Sequence, residues 1–332
     1  MTPNTLTLTR RLCAASLLAC TALSGSAWAS LDPFQSFTGN VAISTDGFGS
    51  LSNAGVISAS VPLGSTVVAA YLYSSTYFTT GTPTVTVDGS AVTFGPRVPN
   101  ATACCSLASF RADVTSIVAP TINGGGGGVY NFNIAETALG NNTDGEALVV
   151  VYENAALPEA TVGILDGFAS VVGDTTSINF ADPLDPTEAG FFAEMALGIG
   201  FSCCNQKSTV EVNGLLMTEN AGNKDDGVNG DNNGNLITVG SFDDPLSPVN
   251  PTYAQDTERY DLSSFITLGD TSISVDTINA SQDDNIFLAS FYVSGQAGFN
   301  EPPPSVPEPG TLMLTTLGLF GIVAAKRRRR RA

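Results

Sequence analysis

The chain contains no histidine among its 332 residues. Ser-His-Asp and Cys-His catalysis are therefore excluded, as is any zinc site that uses imidazole ligands. Basic residues are also scarce, with 13 lysines and arginines against 31 acidic residues and a net charge of −18. Residues 30–300 hold five basic and 29 acidic residues, a net charge of −24. Phosphates would repel a body this acidic, which excludes nucleic acid as a partner.

Long helical patterns are missing between the two ends of the chain. Short alternating or continuous apolar runs occur instead, as in Val67–Tyr73, Val129–Ile134 and Ala147–Tyr152. Turn residues separate these runs every ~8–12 residues, a pattern typical of β-sandwiches and barrels. The sequence therefore predicts an all-β body.

The first 29 residues have the features of a secretory signal peptide. Arg10 and Arg11 precede a mostly apolar stretch, and Ala27–Ala29 forms an A-x-A site for signal peptidase. Cleavage there leaves Ser30 as the first mature residue. A lipoprotein signal with a lipidated Cys20 is the alternative, which the short apolar stretch before this cysteine disfavours.

The C-terminal end predicts a membrane-linked sorting signal over residues 306–332. A proline-rich linker, 299–305, leads into Val306, Pro307, Glu308 and Pro309, and a mostly apolar run, 311–325, precedes Lys326 and five arginines. As a transmembrane helix the run spans about 22 Å, which is short against a hydrocarbon core of ~30 Å. The arginines favour a cytoplasmic end. A plain membrane anchor is the alternative.

This C-terminal segment resembles the PEP-CTERM sorting signal of Gram-negative bacteria, with its motif, short helix and arginine cluster in the same order. The resemblance implies processing by an exosortase-type peptidase near Pro309. It also implies a precursor anchored in the inner membrane and a mature protein at the cell surface, in the outer membrane or in the extracellular matrix. Exopolysaccharide and biofilm systems often accompany the signal in that family.

Three motifs in the body recur in the same order, and each copy closes with an apolar strand. They are D-G-F at 46–48 and 166–168, V-x-V-[D/N]-G at 85–89 and 210–214, and R-x-D-[V/L]-[T/S]-S at 111–116 and 259–264. The second motif indicates a strand entering a tight turn, and the Asp of the third indicates a strand end that caps following N–H groups. This order predicts two tandem β-sandwich units, 30–155 and 156–298, the second with an Asn/Asp/Gly-rich insertion at about 219–250.

The repeated unit resembles the galactose-binding-like jelly-roll modules attached to many glycoside hydrolases. The matching residues are Asp88, Gly89, Arg111 and Asp113–Thr115. The first unit is also similar to a domain of secreted bacterial adhesin-like proteins, on the segments Ala70–Tyr73, Asp113–Thr115, Val150–Glu153 and Asp166–Phe168. The first resemblance implies a jelly-roll-like sandwich and, only weakly, sugar binding, whereas the second implies no activity.

Four cysteines remain after signal cleavage, as the neighbouring pairs Cys104–Cys105 and Cys203–Cys204. An exported compartment favours disulfides. A bond between neighbours makes a strained ring, so we expect bonds between the two pairs. Zinc held by four thiolates is the alternative, although the spacing is not the usual C-x₂-C.

The insertion contains a candidate calcium site at Asp225, Asn229, Asp231 and Asn233. Alternating oxygen-bearing residues followed by Gly234 match the first positions of a calcium loop, but Gly240 stands where a closing acidic residue is expected. A surface insertion of turn-forming residues is the alternative. No other cofactor is indicated.

Two further patterns bear on function without singling out a site. Glu146, Glu153, Glu194 and Glu211 fall on or beside predicted strands, where a pair of carboxylates could hydrolyse a glycosidic bond. Tyr71, Tyr73, Tyr77 and Phe78 could stack on sugar rings or fill the core. Alternation places Tyr71 and Tyr73 on one face of a strand.

We interpret the chain as an exported cell-surface or matrix protein with a non-enzymatic structural or adhesive role linked to exopolysaccharide or biofilm. Its partners would be signal peptidase, an exosortase-type peptidase and, as a ligand, polysaccharide. The alternative is a secreted carbohydrate-active hydrolase that uses an acidic pair.

Overall fold

The computed structural model describes residues 31–49, 53–100, 106–137, 142–170, 172–200, 208–221, 259–278 and 286–301. These residues form 19 strands, one α-helix and one 3-10 helix, which confirms the all-β prediction. No helix in these ranges is long and apolar enough to cross a membrane. The predicted signal peptide, the four cysteines, the candidate calcium residues and the C-terminal signal with its helix 311–325 lie outside the described residues.

The strands, numbered in chain order, form four sheets in which every pairing given for the described residues is antiparallel. Sheet A has the order β1 (Leu31–Gly39), β11 (Ala160–Gly167), β18 (Ile286–Ser294), β13 (Ala193–Ile199) and β16 (Arg259–Asp261). Sheet B has the order β2 (Val41–Gly49), β10 (Thr143–Glu153), β4 (Thr66–Thr76), β8 (Ala108–Asp113) and β7 (Val98–Pro99).

The other two sheets lie on either side of this pair. Sheet C has the order β3 (Ala54–Val61), β9 (Gly128–Glu136), β5 (Val85–Val87) and β6 (Ser90–Ala91). Sheet D has the order β15 (Leu215–Ala221), β14 (Ser208–Val212), β17 (Ser272–Ile278), β12 (Thr175–Phe180) and β19 (Ala297–Phe299). The helix α1 (Thr115–Asn123) follows β8, and the 3-10 helix (Ser263–Phe265) follows β16.

Three apolar clusters hold the sheets together. One lies between sheets B and C around Ile57, Phe132 and Leu148, and a second lies between sheets A and D around Ile178 and Phe291. The third joins sheets A and B. The sheets are therefore stacked in the order C, B, A, D, and sheets A and B are covered on both faces.

The third cluster explains a feature of the sequence in β10. All its residues from Thr143 to Tyr152 are buried, and only Glu153 is exposed. Strands with both faces covered carry continuous apolar runs instead of alternating ones. The run Ala147–Tyr152 is apolar throughout for this reason.

Strand β1 joins a different sheet from the strands that follow it. The repeated motifs predicted that residues 30–155 form one unit. In the structure, however, β1 pairs with β11 of the second predicted unit, with Leu31 opposite Gly167 and Gly39 opposite Ala160. The Leu31 side chain is buried in the cluster between sheets A and D, and its N–H donates to Asp174 Oδ2 at 3.1 Å.

The remaining strands repeat one order. In sheet B the order β2-β10-β4-β8 corresponds, strand by strand, to β11-β18-β13-β16 in sheet A. In sheet C the order β3-β9-β5-β6 corresponds to β12-β17-β14-β15 in sheet D. The two D-G-F segments occupy equivalent places, at the end of β2 and at the end of β11.

The repeated V-x-V-[D/N]-G motif forms the same turn twice. Asp88 and Asn213 have φ values of 46° and 51°, and Gly89 and Gly214 follow with 77° and 74°. In each turn the side-chain Oδ1 accepts a backbone N–H from the neighbouring strand, at 2.8 Å from Asn133 and 2.9 Å from Ser274. The predicted tight turn is confirmed in both copies.

The R-x-D motif also forms the same corner twice. β8 ends at Asp113 and β16 ends at Asp261. Their carboxylates accept the backbone N–H two residues later, at 2.9 Å from Thr115 and 2.8 Å from Ser263. This is the predicted strand end that caps the following N–H groups.

The two turn glycines generate a prediction about stability. Gly89→Ala and Gly214→Ala should each lower the free energy of unfolding by about 1 kcal/mol, because an L-residue is disfavoured at positive φ. Urea unfolding of each variant measures the change. Gly126→Ala is the matched control, because no atom lies within 4 Å of its added Cβ and its φ is not in the left-handed region. Equal losses in all three variants would contradict the explanation.

Candidate functional site

The main candidate site lies where β4 and β8 of sheet B face β1 and β11 of sheet A. Arg111 forms an ion pair with Asp166, which also accepts the Tyr73 hydroxyl at 3.1 Å. The Arg111 Cζ lies 3.4 Å from the centroid of the Phe34 ring. The guanidinium is thus held by a carboxylate and an aromatic face at once, which fixes its orientation.

A cavity of about 170 Å³ opens beside this ion pair. Its walls include Tyr73, Phe110 and Asp166, and the Ser109 hydroxyl donates to the Gly167 carbonyl at 3.1 Å across the same contact between sheets. The cavity is smaller than the ~300–1,000 Å³ typical of ligand pockets, so it can accept only a small group.

A second arginine, from the other copy of the R-x-D motif, lies on β16 in sheet A. Arg259 forms an ion pair with Glu194. Tyr292 stacks on Phe192 with ring centroids 4.3 Å apart. Burial raises the pKa of Tyr292 to about 12, and the nearby Tyr152 and Glu194 contribute smaller increases. Both repeated arginines therefore form structural contacts between strands and sheets.

Three carboxyl groups form a buried cluster at one end of sheets B and C. Glu146 and Asp144 are fully buried, and Glu136 is 7% exposed. Burial raises the pKa of Glu146 well above its usual value, and the neighbouring Glu136 and Asp144 raise it further. The Ser74 hydroxyl donates to Glu146 Oε1 at 3.2 Å, while Oε2 has no hydrogen-bond partner among the described residues. This environment favours the neutral, protonated form of Glu146.

Glu146 and Asp144 have no solvent-exposed surface. The described residues contain no group of three acidic or cysteine side chains arranged to hold a metal ion. The segments 138–141 and 201–207, which adjoin β10 and β13, lie outside the described residues. The carboxyl cluster can hold a proton, and nothing described gives it a further role.

Asp46, in the first D-G-F segment, connects sheets B and C. Its Oδ2 accepts the Ser58 N–H at 2.6 Å, and Ser44 Oγ accepts the Ser60 N–H at 2.9 Å. Burial raises the pKa of Asp46 to about 6 even though the hydrogen bonds from Ser58 and Gly47 lower it. Its equivalent by sequence, Asp166, instead pairs with Arg111.

The structure places the aromatic residues that the sequence suggested as sugar contacts in different environments. Tyr71, Tyr73 and Tyr77 are buried in the cluster between sheets A and B, so of the two predicted alternatives these three side chains fill the core. The alternation placed Tyr71 and Tyr73 on one face correctly, but sheet A covers that face. Phe78 is 62% exposed.

The four candidate glutamates do not come together. Glu146 is buried in the carboxyl cluster, and Glu194 pairs with Arg259. Glu153 is exposed at the end of β10, and Glu211 is half-buried on β14 in sheet D. Sequence reasoning missed Phe34, since no local signal indicates that β1 crosses to sheet A. It also missed Glu136 and Asp144, which lie near Glu146 in the folded protein.

Residues 305–330 match the family described as the PEP-CTERM protein-sorting motif. The match confirms the resemblance to this sorting signal, and Val306–Pro309 lie within the matched residues. No curated protein matches the chain. The chain thus carries a signal for export and for exosortase-dependent sorting towards the cell surface.

The raised pKa of Asp46 generates a prediction about pH. The folded state binds this proton more tightly than the unfolded chain, whose aspartates titrate near 3.9. The stabilisation that the proton on Asp46 gives to the folded state is complete below about pH 4, and it is lost as the pH rises through about 6. Asp46→Asn keeps an oxygen for Ser58 and should be about 2 kcal/mol more stable than the parent protein at pH 8, but not at pH 4.

Urea unfolding at pH 4, 6 and 8 measures this difference. Asp88→Asn is the matched control: it removes one negative charge from an exposed turn in which asparagine already fills the equivalent position, 213. An equal stabilisation of both variants at pH 8 would assign the effect to net charge and contradict the role of burial.

Proposed function

We propose that this protein is a non-enzymatic structural or adhesive component of the bacterial cell surface or extracellular matrix, associated with exopolysaccharide or biofilm. The observation that carries the proposal is the PEP-CTERM motif at 305–330, because it directs an exported chain towards the surface. A precursor anchored in the inner membrane by residues 311–325 and processed by an exosortase near Pro309 belongs to the same proposal.

We further infer that the body consists of two tandem jelly-roll-like sandwich units. The repeated strand order and the paired turns at Asp88 and Asn213 support this division. In this proposal β1 is a strand contributed by the first part of the sequence to the sheet of the second unit. Sheets A and B provide the contact between the units.

The positions of the acidic side chains favour a binding or structural role over a hydrolase. Glycoside hydrolysis requires two carboxyl groups that flank a substrate, ~5–10 Å apart. Glu194 forms an ion pair with Arg259, and Glu146 is fully buried. An enzyme would need a pair elsewhere, and no described observation singles one out.

A glycan array tests the proposed function directly. We expect the exported mature chain to bind polysaccharide saturably and to release no product. The array should be repeated with a calcium chelator, since calcium at Asp225, Asn229, Asp231 and Asn233 is part of the proposal. Loss of binding with chelator would support that site, binding under both conditions would argue against it, and no binding to any glycan would contradict the polysaccharide role.

We also propose disulfides between the pairs Cys104–Cys105 and Cys203–Cys204. The described residues next to the two cysteine pairs lie close together at the end of β4, a place that we call the corner. Ala108, which follows the first pair, lies opposite Thr76 in sheet B, and a Cβ on Gly200, which precedes the second pair, would lie 2.7 Å from Ser75 Oγ. Bonded cysteines need Cα atoms about 4.4–6.8 Å apart. Only two residues separate Cys105 from Ala108, and two separate Gly200 from Cys203.

Peptide mass spectrometry without reduction measures the pairing. We expect linked peptides that join the segment around 104–105 to the segment around 203–204, and a loss of about 2–4 kcal/mol of stability on reduction. Bonds confined to each neighbouring pair, or four thiols that bind zinc, would contradict this assignment.

A further inference from the structure

Asp174 is a half-buried carboxylate beside the first residue of β1. Its Oδ2 accepts the Leu31 N–H at 3.1 Å and the Ser170 N–H at 2.9 Å. Its own N–H donates to Thr277 Oγ1 at 2.9 Å, and the Thr277 N–H donates to its carbonyl at 2.8 Å. Leu31 is buried in the core between sheets A and D, so the start of β1 and this carboxylate are held together in the folded protein.

Among the residues that the structure describes, no cation pairs with Asp174. The arginines of these ranges all bond to other groups; they are Arg97, Arg111 and Arg259. The charged side chain that acts on Asp174 is another acid, Asp32. Burial raises the pKa of Asp174, its two backbone hydrogen bonds lower it, and Asp32 raises it again. A half-buried negative charge in such a place is unfavourable until a positive charge lies near it.

The first copy of the repeat lacks this carboxylate. The two D-G-F segments are 120 residues apart, and the same offset places Ala54 at the position of Asp174. Ala54 begins β3, and Asp174 directly precedes the equivalent strand, β12. Sheet B also has no described strand beside β2 at the place that β1 occupies beside β11 in sheet A. The carboxylate is thus found in the copy that receives the N-terminal strand.

Signal cleavage after Ala29 creates a positive charge close to Asp174. Hydrolysis of the Ala29–Ser30 bond adds the hydroxyl group of water to Ala29 and a hydrogen to the Ser30 nitrogen, which is an ammonium group below its pKa of about 7.7–8.0. Three covalent bonds join this nitrogen to the Leu31 nitrogen, so the two lie at most about 4 Å apart in any conformation of Ser30. The ammonium group is therefore within about 7 Å of Asp174 Oδ2.

We propose that the α-ammonium group of Ser30, formed by signal cleavage, pairs with the Asp174 carboxylate and holds β1 in the second half of the fold. The inference rests on the export that is part of the proposed function, and it adds a structural role for the mature N-terminus. In the precursor the same nitrogen belongs to a neutral peptide bond. Removal of the signal therefore stabilises the folded body as well as releasing it.

NMR titration of the exported mature chain tests this contact, after its intact mass has shown whether it begins at Ser30. Reductive ¹³C-methylation labels the amino groups and keeps their charge, and the lysine signals titrate separately near pH 10.4. The α-amino pKa should be about one unit higher in the parent than in Asp174→Asn, because a nearby opposite charge favours the charged form. The asparagine keeps an oxygen for both backbone N–H groups.

Asp276→Asn is the matched control. It removes the same charge from sheet D, where the Asp276 carboxylate accepts the hydroxyls of Thr175 and Ser274, and it should change the α-amino pKa much less. Asp32→Asn tests the other nearby acid in the same way. A role of Asp174 confined to its backbone hydrogen bonds would leave the α-amino pKa equal in the parent and in Asp174→Asn.

Thermal unfolding measures the effect on stability and needs no substitution. Acetylation of the α-amino group should lower the unfolding temperature at pH 7 but not at pH 10. The raised pKa of the amine makes the contact complete below about pH 8, and the contact is lost as the pH rises through about 9. In Asp174→Asn, acetylation should have no effect at either pH.

Four results would each overturn the inference: an exported chain that begins at another residue, equal α-amino pKa values in the parent and Asp174→Asn, a larger fall of this pKa in Asp32→Asn or Asp276→Asn, or no effect of acetylation at pH 7. None of them bears on the glycan array, so the proposed function is tested separately.

Discussion

Sheets A and B bury their facing surfaces against each other, and this contact determines the position of most functional candidates. A sheet in an ordinary sandwich has one face in the core and one in solvent. Here the second face of sheet B, with Tyr71, Tyr73 and Val149, packs on Ile164 and Phe287 of sheet A. Side chains that would otherwise form an exposed aromatic surface become core, and the outer faces and edges remain for ligands.

Local chemistry in the sequence predicted the strands and turns well, and longer-range pairing poorly. The positive-φ turns at Gly89 and Gly214 and the strand ends at Asp113 and Asp261 follow from their own motifs. The path of β1 does not, because β1 and β2 are separated by one residue, Asn40, and yet belong to different sheets. Only tertiary packing distinguishes these two strands, and for this reason Phe34 was not identified from the sequence.

The few basic residues of the described body all form contacts within the folded protein. Arg97, Arg111 and Arg259 are the basic residues within the described ranges. Arg111 and Arg259 pair with carboxylates, and Arg97 donates to the carbonyls of Ser106 and Leu107. Because these three arginines form contacts within the protein, the surface of the described residues carries mainly acidic and neutral groups, while Lys207 and Lys224 lie outside the described residues. Uncharged polymers and divalent cations are compatible with such a surface, whereas polyanions are not.

The position of β1 also affects the order in which the protein can fold. The strand is among the first parts of the body to be synthesised, but its N-terminal residue bonds to Asp174, 143 residues later in the chain. Contacts of such long sequence separation form late and slow folding. Sheet A thus cannot be completed until the second half of the chain has appeared. Until then β1 lacks its partner strand β11, and Leu31 lacks the core between sheets A and D in which it is buried.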